Sequence, residues 1–119
     1  MVVDDEKGLL DAFDTLMRRF GYDAEFYISA TKALEAVALD PAGYGLIITD
    51  MRMPFVDGLT FVKNVRSLCP RIPVVFMSGF VTAELKEKAM EFKDVVLLEK
   101  PFSLEQVFKE TIPKLMGGR

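Results

Sequence analysis

Four stretches of this chain place a reactive side chain directly behind an apolar run. Asp4-Asp5 follow Met1-Val2-Val3, and Asp50 follows Leu46-Ile47-Ile48-Thr49. Ser78 closes the run that starts at Ile72, and Lys100 stands just past Val95-Val96-Leu97-Leu98. Histidine is absent, so any reaction runs on carboxylates, Lys, Ser or Thr. Histidine triads and histidine metal sites are excluded, and the chain cannot itself donate a phosphoryl group from histidine. Short uncharged runs of this kind read as buried strands of a parallel sheet, covered on both faces. In open α/β sheets the carboxyl ends of the strands are where ligands bind. Each residue also has an ordinary reading. Asp50 suits a turn, Asp4 and Asp5 suit a helix N-terminus, Ser78 suits a helix cap, and Lys100 suits a solvated stem end.

The elements that must position these groups follow from periodicity. Leu9, Leu10, Phe13, Leu16, Met17 and Phe20 recur at helical spacing, and Gly21 stops that helix. Residues 23–28 alternate, with Ala24, Phe26 and Ile28 on one face of a strand. Ser29 caps a second helix whose stripe is Ala33, Leu34 and Val37, and Asp40-Pro41-Ala42-Gly43 reads as a loop. The strand over 46–50 and the loop over 51–58 follow. A third helix then turns Leu59, Val62, Val65 and Leu68 inward and ends at Pro70. Cys69, the lone cysteine, reads as a small buried structural thiol. The strand over 72–77 tolerates Pro73 near its start, and a fourth helix runs over 82–92. The fifth strand, 95–98, leads to Glu99-Lys100-Pro101. Ser103 caps the last helix, with Leu104, Val107, Phe108 and Ile112 inward. Pro113 is expected to kink or end it, because the ring clashes with the Lys109 carbonyl. Gly117-Gly118-Arg119 reads as frayed or linker-like.

Strand and helix thus alternate five times across one domain, residues 1–119. Right-handed strand-crossover-strand units give a parallel sheet with helices on both faces. The expected fold is α/β: a doubly wound, flavodoxin-like three-layer sandwich with a five-stranded sheet in the order 2-1-3-4-5. That order sets the first strand beside the third and brings Asp4 and Asp5 to Asp50. Three carboxylates in one crevice must take up protons or share a cation. An all-oxygen set suits Mg²⁺, with Mn²⁺ as the alternative, rather than zinc. Lys100 beside them offers a fixed positive charge for a phosphoryl oxygen, and Ser78 offers a hydroxyl.

Composition limits the function classes. Half of the 119 residues are hydrophobic, 28% are charged, and the net charge is −3. That balance is globular, and it lacks the basic excess of a nucleic-acid surface. No apolar run approaches the roughly 20 residues of a membrane span, and no signal peptide is visible. The expected compartment is the cytoplasm.

Val3-Asp4-Asp5-Glu6, Ile48-Thr49-Asp50-Met51-Arg52-Met53-Pro54, Asp57-Gly58, Ser78-Gly79 and Lys100-Pro101-Phe102 resemble, in this order, the receiver domain of two-component response regulators, of the chemotaxis-regulator kind. The resemblance covers the whole chain. It implies that Asp50 is the phosphoacceptor, attacking the phosphohistidine of a sensor histidine kinase or phosphotransfer protein. It implies Mg²⁺ on Asp5, Asp50 and the backbone carbonyl of Arg52, with Asp4 acting through a bound water. Lys100 would pair with the phosphoryl group, Ser78 would turn its hydroxyl onto it, and Lys100-Pro101 would be cis. Pro54 and Gly58 would shape the loop after Asp50. Output would come from a switched face formed by the fourth helix, fifth strand and fifth helix, which in the family binds partners or makes a homodimer. Such a domain is not an enzyme beyond its own phosphoryl transfer and dephosphorylation, and it makes no direct contact with nucleic acid or membrane. One departure is Leu97, which stands where the family carries an aromatic switch residue. Phe80 and Arg52 occupy positions that tune hydrolysis of the acyl phosphate, and a bulky Phe80 would lengthen its lifetime.

Three other readings compete. A flavodoxin-like small-molecule binder needs an anion-cradling loop after the first strand, where this chain has Asp4-Asp5-Glu6. A hydrolase using Asp50 as nucleophile needs a second acid close by, where Arg52 stands. A pseudo-receiver that only makes protein contacts is kept in view by Leu97. The start inside a strand and the Gly-Gly-Arg end point to a piece of a longer protein.

Overall fold

The computed structural model describes residues 1–117. Five strands, β1 (Val2–Val3), β2 (Phe26–Tyr27), β3 (Ile47–Asp50), β4 (Val74–Ser78) and β5 (Val95–Glu99), form one sheet in the order β2-β1-β3-β4-β5. All four pairings are parallel. Helices α1 (Lys7–Arg19), α2 (Ala30–Leu39), α3 (Gly58–Leu68) and α4 (Ala83–Ala89) lie in the crossovers, with a 3₁₀ turn at Pro41–Gly43. The last helix, α5, covers 104–116 in three stretches: Leu104–Gln106, a π-helical Val107–Thr111, and Ile112–Met116.

Side chains on a strand alternate between faces, and the core divides accordingly. Val3, Ile47, Val74 and Phe76 pack with Ala33, Val37, Phe61, Val62 and Val65 of α2 and α3. Val2, Ile48, Val75 and Met77 pack on the other face with Phe13 of α1 and Phe108 and Ile112 of α5. Every residue of β3 and β4 is buried, as expected for strands covered on both sides. No helix among the described residues is long and apolar enough to cross a membrane.

Several local expectations are corrected. β2 keeps only two residues of the alternating 23–28 stretch, and Ile28 is 63% exposed. In α3 the buried side is Gly58, Phe61, Val62 and Val65, while Leu68 is 42% exposed. At about 100° per residue, Leu59 and Leu68 point to opposite sides, so the row of threes could not form one face. α4 is shorter than 82–92, and Thr82 is its cap, accepting the Leu85 N–H. Pro113 neither ends nor interrupts α5. The π-helical stretch before it widens the turn that would otherwise bring the ring against the Lys109 carbonyl. Cys69 is half-buried and donates its S–H to the Pro41 carbonyl at 3.1 Å, and burial pushes its thiol pKa up. Of the Gly117-Gly118-Arg119 end, Gly118 and Arg119 lie outside the described residues.

Candidate functional site

The sheet register gathers the reactive side chains. Val3 pairs with Thr49 and Asp50 with Met77, so the ends of β1, β3 and β4 are adjacent. The Met51 N–H donates to the Met77 carbonyl at 2.8 Å, and the Lys100 N–H donates to the Ser78 carbonyl at 2.8 Å. These two bonds lash the loops leaving β3 and β5 to the end of β4. The Lys100-Pro101 peptide is cis.

Asp4 is fully buried and Asp50 is 6% exposed, while Asp5 faces solvent. One carboxylate oxygen from each of the three lies within 4.8 Å of the others. Lys100 reaches into this group. Its Nζ is 3.0 Å from Asp4 Oδ2 and 3.6 Å from Asp50 Oδ2. Asp4 Oδ1 accepts the Glu6 N–H at 2.8 Å, and this bend returns the Glu6 carboxylate to Lys100 at 3.1 Å.

Burial, and then the charge of Asp4, push the Asp50 carboxyl above its ordinary pKa. Lys100 and the backbone N–H groups of Arg52 and Met51 pull against that rise. Asp4 is likewise raised by burial, against the opposing pull of the Glu6 N–H and Lys100. For Lys100, burial alone would lower the pKa. The hydrogen bonds to Asp4 and Glu6 and the charges of Asp4 and Asp50 outweigh it and hold the ammonium above its usual range. The pocket is therefore short of positive charge: two buried acids resist ionising together and share one cation. A divalent ion bound by oxygens relieves that conflict, and the donor set fits Mg²⁺ or Mn²⁺.

Ser78 is fully buried at the end of β4. Its hydroxyl donates to the Phe80 carbonyl at 3.1 Å and accepts the Phe80 N–H at 3.2 Å. Phe80 is 61% exposed, and the Arg52 guanidinium lies 5.7 Å from its ring centroid, a cation–π distance. The loop after Asp50 folds back at Gly58, whose N–H donates to the Met51 carbonyl at 3.0 Å. A Cβ at Gly58 would collide with the Asp50 carbonyl oxygen and lie 2.8 Å from Met51 Cα. Only glycine permits this approach. Leu97 is half-buried in the apolar cluster shared with α2 and α3. A charged contact of the pocket that the apolar runs do not point to is Glu6, which the turn closed by Asp4 brings to Lys100.

The family description "Response regulator receiver domain" matches residues 1–111. The response regulator protein TodT of Pseudomonas putida is 31% identical over 106 residues, which is 89% of this chain and 46% of TodT. The transcriptional regulatory protein FixJ of Bradyrhizobium diazoefficiens is 30% identical over 101 residues, 85% of this chain and 48% of FixJ. The chain spans about half the length of these two relatives. Among solved structures, the Vibrio cholerae chemotaxis protein CheY4 superposes with a TM-score of 0.85 at 27% identity, covering 96% of this chain and 94% of that one. A response regulator receiver protein from Sinorhizobium medicae gives 0.86 at 27% identity, with 98% and 91% covered.

Proposed function

This chain belongs to the receiver domains of two-component response regulators, and on that footing we propose that Asp50 accepts a phosphoryl group from a sensor histidine kinase or phosphotransfer protein. The observation that carries the proposal is Lys100, an ammonium held within 3.6 Å of Asp50 by buried Asp4. A lysine locked among acids at the mouth of a sheet is costly as architecture and useful as a receptor for a phosphoryl oxygen.

In the proposed step an Asp50 carboxylate oxygen attacks phosphorus, forming an O–P bond as the N–P bond of the phosphohistidine breaks. The histidine nitrogen keeps the electron pair and takes up a proton. Asp5, Asp50 and the Arg52 carbonyl would hold Mg²⁺ or Mn²⁺ directly, with Asp4 acting through water. The bound ion supplies charge neutralisation for the acids and the incoming phosphoryl oxygens. Lys100 follows the charge onto the new group. Ser78, whose hydroxyl now bonds Phe80, turns to donate to a phosphoryl oxygen. The receiver occupies all of 1–119 and works in the cytoplasm. It drives its output through the α4-β5-α5 face, onto a further domain, a partner or a second copy, with no contact of its own to nucleic acid or membrane. The exposed Phe80, held beside Arg52, stands in the path of hydrolytic water and lengthens the acyl phosphate's life.

One observation favours a second reading, a pseudo-receiver that is not phosphorylated: Leu97 has no ring with which to relay Ser78's movement. Incubation with acetyl phosphate and Mg²⁺ separates the two. The receiver reading predicts one base-labile phosphoryl group per chain by intact mass, dependent on the divalent ion. A chain whose mass never changes is a pseudo-receiver.

A further inference from the structure

An ammonium has three N–H donors, and Lys100 has three carboxylates around it. Asp4 stands at 3.0 Å, Glu6 at 3.1 Å and Asp50 at 3.6 Å. The two short contacts are to the segment between β1 and α1; the long one is to the phosphoacceptor. Glu6 occupies the N-cap position of α1, yet its side chain makes no cap hydrogen bond. Its carboxylate is committed to the lysine instead.

We propose that Glu6 is a positioning residue. It holds the Lys100 ammonium toward the β1 side in the unmodified protein, and it is the partner that Lys100 releases when Asp50 carries a phosphoryl group. This rests on the phosphoacceptor role of Asp50. Lys100 donates hydrogen bonds to Asp4 and Glu6 but makes only an ion pair at 3.6 Å with Asp50, so drawing the ammonium onto a phosphoryl oxygen at Asp50 lengthens one of the two short contacts. Asp4 is fully buried, and stripping the cation from a buried carboxylate leaves an uncompensated charge in the interior. The Glu6 side chain is 64% exposed, and its carboxylate returns to water at little cost. Glu6 therefore gives way, and until it does it competes with the phosphoryl group for the ammonium. An exposed ion pair of this kind weakens binding of the phosphoryl group by a factor of roughly two to five.

Two variants separate holding from helix capping. Glu6→Gln removes the charge. Glu6→Asp keeps a negative N-cap at α1, which the helix dipole favours, but is one methylene too short to keep the contact. Wild type and both variants are titrated with beryllofluoride, a phosphoryl mimic, at saturating Mg²⁺, following the backbone amide resonances of residues 78–80. The Lys100 ammonium resonance is recorded separately in ion-free protein. The expected result is half-saturation at roughly two- to fivefold less beryllofluoride in both variants, faster solvent exchange of the Lys100 ammonium in both, and an unchanged thermal midpoint for Glu6→Asp. Unchanged or weaker binding in both variants overturns the inference while leaving the phosphoacceptor reading standing, and so does a Glu6→Asp protein that behaves like wild type. Wild type that takes no beryllofluoride overturns that reading and the inference with it.

Discussion

At the scale of single residues, the site is built from groups that stability alone would not choose. Asp50 is nearly buried beside Asp4, and both carboxyls are pushed up by burial. A carboxyl whose folded-state pKa exceeds its unfolded value binds protons more tightly when folded. Its contribution to stability is complete below the unfolded pKa, near the ordinary carboxyl value of 3.8, and is lost as pH rises through the folded pKa. Without divalent ions, Asp50→Asn should therefore match wild type in thermal midpoint at the acid end and exceed it at neutral pH. A difference that stays flat with pH would contradict this assignment. Gly58 supports the same residue from below. Gly58→Ala forces a methyl against the Asp50 carbonyl oxygen and should cost about 1–3 kcal/mol by urea unfolding, with the loop after Asp50 displaced. The Asp4, Asp50, Ser78 and Lys100 positions were legible because each follows an apolar run. The Glu6 contact was not, because it depends on an Asx turn that apolar patterning does not encode.

At the scale of elements, legibility tracks burial. β3 and β4 are buried along their whole length, and their uncharged runs announced them. β2 is half-buried, and the alternation at Ala24, Phe26 and Ile28 outran the backbone pairing, which ends at Tyr27. Steps of three residues fall behind the helical turn, so the row from Leu59 to Leu68 does not stay on one face of α3. Pro113 does not end α5, because a π-helical stretch, a rare device, makes room for the ring. α4 is the weakest helix on these terms: seven residues, with Ala89 its buried side chain. A helix that short is marginal without packing or caps, so its opening should be local. Thr82→Ala removes the cap that accepts the Leu85 N–H at 3.0 Å. It should cost about 1 kcal/mol in the opening of α4, seen as faster amide exchange over Ala83–Ala89 while β3 and β4 keep their protection. Uniform loss of protection across the sheet would show that α4 opens only with the whole fold.

At the scale of the molecule, the order β2-β1-β3-β4-β5 is what turns scattered residues into a pocket. It sets β1 against β3, so Asp4 meets Asp50 across a strand pair, and β4 against β5, so the Lys100 N–H bonds the Ser78 carbonyl. The same packing leaves the acids short of cations, a deficit that a divalent ion can relieve before a phosphoryl group adds its own negative charge. The proposed acceptor of phosphorus is Asp50, and no other carboxylate of this acidic group. Reduction of the phosphodonor-treated, Mg²⁺-loaded protein with borohydride converts an aspartyl phosphate to homoserine, and tandem mass spectrometry locates it. Homoserine is expected at position 50 alone, and none when Mg²⁺ is chelated. Homoserine at position 4 or 5, or at no position in a protein that has gained a phosphoryl group, would contradict it.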